Sequence, residues 1–173
     1  MATYNDLMWV LDDAEQALLL RLRPRAFDGD RGTWGIVFAQ TYALRGDVDR
    51  ARAYADSARV AFEKQLRATP GSETLHTSLG LALAYLGRKA EAIREGERSV
   101  AIMPITRGAV AGAYVQHQLA RIYIITNEPE KALDQLEPLF KIPYYLSPGW
   151  LKIDPNFARL RGNARFEHLI AGP

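Results

Sequence analysis

The chain has 173 residues, 48% of them hydrophobic and 24% charged, with 22 Lys and Arg against 20 Asp and Glu. That length supports one domain with a sizeable core, the composition is that of a folded chain, and a net charge of +2 gives no electrostatic basis for binding nucleic acid or an acidic membrane surface. The absence of cysteine excludes disulfides, thiolate zinc sites and a cysteine nucleophile.

The first predicted element is a helix over residues 5–22. Its Leu7, Val10, Leu11, Ala14, Ala17 and Leu18 share one stripe, and Pro24 terminates it. Acidic residues precede any apolar run, so no secretory leader is read. The run Ala17–Leu20, broken by Arg21 and Arg23, falls far short of the ~20 apolar residues that span a bilayer. An apolar face with no antiparallel mate reads as the second helix of an incomplete preceding repeat, in a chain cut from a longer protein; a native N-terminal capping helix is the alternative. Asp28, Gly29 and Asp30 have too few ligands around them for a calcium loop and read as a turn.

Residues 32–143 then divide into three similar units, about 32–70, 73–104 and 109–143. Tyr42 to Gly46, Leu83 to Gly87 and Tyr123 to Asn127 align at spacings of 41 and 40 residues. Three positions before the first member of each stands a small residue, Ala39, Gly80 or Ala120, preceded by a large apolar one, Phe38, Leu79 or Leu119. Five positions after the last member stands Ala51, Ala92 or Ala132. Each column has a physical reason. The large residues form a helical stripe, and the small ones let a second helix approach closely. Gly46, Gly87 and Asn127 suit a left-handed C-cap, after which Asp47 and the pair Glu128-Pro129 signal a new helix start. Each unit is therefore predicted to be a helix–turn–helix, giving an all-α solenoid of helical hairpins.

These residues resemble the tetratricopeptide repeat, whose pattern is met best by Gly80, Leu83, Gly87, Ala92 and Pro104. The first copy departs through its late Pro70, implying a second helix (about 48–67) longer by two turns. The third departs through Asn127 and a longer approach over Thr106–Gly112. The final segment, 144–173, reads as a loop followed by capping turns that start at Asp154-Pro155, restart at Gly162-Asn163 and anchor through Phe157, Leu160, Phe166, Leu169 and Ile170. Its stretch from Leu146 to Phe157, with Leu160 to Phe166, is similar to the ends of tetratricopeptide regions in bacterial serine/threonine protein kinases and related signalling proteins. That resemblance implies a catalytic domain elsewhere in a larger polypeptide. It also implies a cytoplasmic location, or an extracytoplasmic one where a membrane anchor precedes the repeats.

Nothing in the pattern is catalytic. His76, His117 and His168 stand in no metal-ligand spacing, and no nucleophile elbow, phosphate loop, His-Arg-Asp or Asp-Phe-Gly is present. Glu91, Glu95 and Glu97 read as a solvated helix face beside Arg94 and Arg98. No cofactor and no metal are expected. The resemblance implies a concave groove lined by the first helix of each unit: Val37, Gln40 and Leu44, then Thr77, Ser78, Leu81 and Tyr85, then Tyr114, His117, Gln118, Arg121 and Ile125. Leu44, Leu81 and Ile125 also have a plainer reading as contacts between units. The polar face of the third helix suits a peptide carboxylate paired by Arg121, with Tyr85 in apolar contact. The expected function is thus a non-catalytic scaffold for a protein or peptide, including a domain of the same polypeptide, with no nucleic acid and no membrane insertion. The alternative is self-association through the aromatic stretch Tyr144 to Trp150.

Overall fold

The structure, a computed structural model, describes residues 6–172, and within them every regular element is helical. The part of the N-terminal prediction that falls on residues 1–5, and Pro173 of the C-terminal segment, lie outside the described residues. A 3-10 turn over Met8–Val10 leads to α1 (Asp13–Leu19), and a second over Pro24–Phe27 leads to α2 (Arg31–Leu44) and α3 (Val48–Ala68). There follow α4 (Glu73–Tyr85), α5 (Lys89–Ile102), α6 (Ala109–Ile125), α7 (Pro129–Leu139) and α8 (Pro148–Ile153). A 3-10 segment over Pro155–Leu160 and α9 (Ala164–Ala171) complete the chain.

The N-terminal segment departs from its predicted single helix over 5–22. Leu11 is extended, with ψ of 137°, and Asp12 opens a new helix. The Asp12 carboxylate accepts from the Glu15 backbone N–H, and the Glu15 side chain accepts from the Asp12 N–H. This reciprocal box satisfies N–H groups that a continuous helix would have used otherwise, so it breaks the run there. The proposed apolar stripe is not seated either, since Val10 and Leu18 are each 60% exposed.

Gly46, Gly87 and Asn127 adopt φ of +76°, +79° and +59°. In each case the next N–H reaches back to the carbonyl four residues before that turn residue: Asp47 to Tyr42 (2.9 Å), Arg88 to Leu83 (2.9 Å) and Glu128 to Tyr123 (2.8 Å). These closures satisfy carbonyls left open at the helix ends and reverse the chain within a few residues. The following helix returns antiparallel: Asp30 meets Gln65, and Phe38 meets Tyr54, whose ring also stacks on Tyr42. Asp30, Asp47 and Ser72 cap α2, α3 and α4 with side-chain oxygens.

The helices pack in neighbouring pairs, α2 with α3, α4 with α5 and α6 with α7. Each pair rests on the next through α3 on α4 and α5 on α6, while α2, α4 and α6 lie side by side. Ala39, Ala51, Ala92, Ala120 and Ala132, at most 3% exposed, sit at these contacts. Leu83 and Tyr123 are buried beside them. At Gly80 the approach is close: a methyl group there would stand 2.8 Å from Ile122 Cδ1 and 3.1 Å from the Ala92 carbonyl oxygen. α4, α5 and α6 therefore meet at a residue with no side chain.

At the C-terminal end, α8 forms where a loop was expected, because the Ser147 hydroxyl accepts from the Trp150 N–H and Pro148 occupies the first turn. Leu151, Phe157, Leu160 and Phe166, at most 1% exposed, pack on Leu133, Leu136 and Leu139 of α7. Burying side chains of this size stabilises by about 1.5–3 kcal/mol each. Arg165 fastens α9 to α7 through Glu130 (2.8 Å), Asp134 (2.9 Å) and Glu137 (2.9 Å). Among the described residues, no helix is long and apolar enough to cross a membrane.

Candidate functional site

The inner faces of α2, α4 and α6, with the loop at Pro143 to Tyr145, enclose a cleft of about 810 Å³. Seven of the residues that the resemblance implied for a groove line it: Gln40, Thr77, Ser78, Leu81, Tyr114, Gln118 and Arg121. Ile36, Val110 and Val115 add apolar wall, and Val110 is 82% exposed at the mouth. Glu73 supplies a carboxylate at the rim. Thr77 contributes no free hydroxyl, because its Oγ1 lies 2.6 Å from Ser99 Oγ across the α4–α5 contact.

The other five predicted residues, Val37, Leu44, Tyr85, His117 and Ile125, lie elsewhere. His117 is 2% exposed and covered by Tyr144 and Tyr145, whose hydroxyls stand 3.3 and 3.0 Å from its Nδ1, while its ring stacks on Phe157. Burial, and then the Arg121 charge, push its pKa down to about 3 against the opposing carboxylate of Asp6, so it is neutral near pH 7. Tyr85 is half-buried and lines a second cavity of about 380 Å³ with Leu44 and Ile125. Burial pushes its phenol up, against the nearby Arg121. Val37 is 2% exposed and lines neither cavity.

Arg121 also differs from its predicted role as a presented cation. It is 2% exposed and already engaged. One guanidinium nitrogen donates to Gln118 Oε1 (2.9 Å), and the other to Gln40 Oε1 (2.7 Å) and Asn156 Oδ1 (3.2 Å). These acceptors are neutral amides, and no carboxylate of the described residues lies within 4 Å. Burial opposes the cation, but Tyr85, Asp6, Tyr114 and Asp154 outweigh it and keep Arg121 protonated.

Helical spacing gave no hint of two groups that complete this floor. Asp6, 7% exposed, accepts through Oδ2 from Gln118 Nε2 at 3.1 Å. Asp154, 3% exposed, accepts from the Asn156 N–H and Nδ2 and from Trp150 Nε1. Burial raises the Asp154 pKa against those hydrogen bonds and Arg121. Trp9 stands edge-on to Trp150, which stands edge-on to Tyr145. Four buried atoms of this region have no hydrogen-bond partner among the described residues: Asp6 Oδ1, Trp9 Nε1, His117 Nε2 and Arg121 Nε. Each such atom costs about 1–3 kcal/mol unless something else answers it.

Outside the cleft, His76 lies in the first turn of α4, where Nδ1 lies 2.6 Å from Glu95 Oε2 and Nε2 lies 3.0 Å from the Pro70 carbonyl oxygen. Glu97 is exposed while its carboxylate accepts from the Tyr123 hydroxyl at 2.8 Å, and Glu91 pairs with Arg88 at the surface, so of the three glutamates Glu95 departs from the solvated-face reading. In the aromatic stretch Tyr144 and Trp150 are half-buried, Leu146 is buried and Tyr145 is 38% exposed. Among the described residues, no three His, Asp or Glu side chains group as metal ligands would. Compared with known proteins, the chain matches no family model, no curated protein and no solved structure.

Proposed function

We propose that this chain is a non-catalytic protein-interaction scaffold of the tetratricopeptide type, a solenoid of helical hairpins whose concave face holds an extended segment of another polypeptide. The observation that carries the reading is the cleft of about 810 Å³ formed by the first helices of three consecutive hairpins. Its chemistry suits a peptide. The Ser78 hydroxyl can answer main-chain groups, while Ile36, Leu81 and Val115 offer apolar wall to alternate side chains. In this reading the chain serves a larger bacterial signalling protein such as a serine/threonine kinase, in the cytoplasm. The partner is then a separate protein or a domain of the same polypeptide. Self-association through the Tyr144 to Trp150 stretch has less support, because Trp150 is occupied by Trp9 and Tyr145.

Panning a displayed library of random peptides against the chain tests the scaffold reading, with Ser78→Arg as the blocked control. Ser78 is half-buried on the cleft wall, so a long charged side chain there fills the space without entering a helix–helix contact. Enriched peptides should bind the unchanged chain and lose at least about tenfold in affinity for Ser78→Arg, at equal helicity and melting temperature. Peptides that bind both equally, or no enrichment, would contradict the reading.

A further inference from the structure

Residues 6–11 form a strap at one end of the cleft. Their 3-10 turn packs on α2, Asp6 reaches Gln118 of α6, and Trp9 meets Trp150 of α8. Three observations set this strap apart from the helices it touches. It adds no side chain to either buried hydrophobic cluster, and its Val10 points largely into solvent. Its polar fit is incomplete on both sides: Asp6 Oδ1 and Trp9 Nε1 on the strap, and His117 Nε2 and Arg121 Nε on the receiving wall, are all buried without a hydrogen-bond partner among the described residues. Its one carboxylate is nonetheless placed where charge favours it, bonded to Gln118 and within the electrostatic reach of Arg121, whose bonds to Gln118, Gln40 and Asn156 go to neutral amides.

An acceptor and a donor left open in the same buried region describe a carboxylate that has been brought to a guanidinium but not onto it. We propose that the strap is a built-in stand-in for the partner. On this view, which rests on the scaffold reading, the α6–α8 end of the cleft recognises a polypeptide segment bearing a carboxylate and, three residues later, an aromatic ring. Asp6 and Trp9 hold that end closed until such a segment displaces them. The same three-residue spacing separates Asp6, which lies just before the 3-10 turn over Met8–Val10, from Trp9 within that turn. A free segment, not tethered through Leu11 and Asp12 to α1, can settle so that its carboxylate meets Arg121 Nε directly. The strap lowers the fraction of molecules able to bind, so weakening it raises the apparent affinity for the competitor.

The probe is a capped, fluorescein-labelled peptide of sequence Asp-Leu-Met-Trp-Val-Leu, followed by two lysines for solubility. Its fluorescence anisotropy is titrated with the full chain, with Asp6→Asn, and with Asp6→Asn combined with Trp9→Ala, each checked for native helicity. The double variant should bind at least about tenfold more tightly than the unchanged chain, with Asp6→Asn alone between them. A probe with Asn in place of its Asp should lose at least about tenfold on the same variants. Saturating probe should also speed hydrogen exchange at the amides of residues 7–11 in the unchanged chain. Equal binding to all three proteins, binding to none, or unaltered exchange over 7–11 would overturn the proposal. If the double variant loses helicity, Asp6→Asn alone, which leaves the ring contacts intact, decides by the same comparison. The scaffold reading is judged separately by the Ser78→Arg control, whose selected peptides need not carry this pattern.

Discussion

His117 lies on a helix face that spacing alone turns toward the cleft, yet Tyr144, Tyr145 and Phe157 cover it and leave it a neutral, buried ring. Its folded pKa, about 3, lies below the ordinary 6.5, so as pH falls the unfolded chain binds the proton first. The stability that depends on a neutral His117 is therefore fully present above about pH 6.5 and is lost toward pH 3, at up to ~1.4 kcal/mol per pH unit. Urea unfolding at pH 7 and pH 5 should show that loss in the native chain and a flatter response in His117→Asn; identical slopes would contradict the burial argument. Gly112 offers a steric counterpart. A methyl group there would stand 2.6 Å from Ile105 N and Cα, which are backbone atoms that cannot swing aside. Gly112→Ala should therefore lose on the order of 1–3 kcal/mol despite a helix-propensity gain of about 1 kcal/mol, read as a lower urea midpoint. At this scale the sequence revealed which face Gln118 and Arg121 occupy, but not that they are buried. Their cover, Asp6 and Asn156, comes from positions 112 and 35 residues away in the chain, beyond the reach of any periodicity.

The three hairpin turns were legible because each depends on one residue able to adopt positive φ, and Gly46, Gly87 and Asn127 recur at a fixed place. Asn127 is the strained member, so Asn127→Gly should raise stability by about 0.5–1 kcal/mol in denaturant titration, while Asn127→Ala should lower it. The break at Asp12 was also written in the chain, as Asp12 followed three residues later by Glu15, but the apolar stripe across it argued for continuity and the capping box prevailed. Likewise, Ser147-Pro148 marks the start of α8, whereas the neighbouring aromatic residues read as loop. α9 depends on a different kind of contact, the exposed cluster of Arg165 with Glu130, Asp134 and Glu137. Arg165→Ala should speed hydrogen exchange in α9 and leave α2 to α5 unchanged; loss of protection throughout the chain would show that the cap is not a separable unit.

Across the whole molecule, two buried clusters meet near α6: one built from α2 to α5 together with Ile122, the other from α6 to α9. Phe157, fully buried under the cap and stacked on His117, ties the second cluster to the floor of the cleft. Phe157→Ala should cost about 3–5 kcal/mol and should loosen Tyr144 and Tyr145 at the cleft edge. The helical repeat and its turns could be read in advance because they are local. The strap, the buried Arg121 network and the covered histidine could not, because each arises where segments distant in sequence converge. Mapping amide chemical shifts in the isotope-labelled chain as a library-selected peptide is added tests the central claim most directly. The account predicts perturbations concentrated at Gln40, Ser78, Leu81, Val110, Ala111 and Tyr114, on the inner faces of α2, α4 and α6. Perturbations confined to the outward surfaces of α3, α5 and α7 would contradict it.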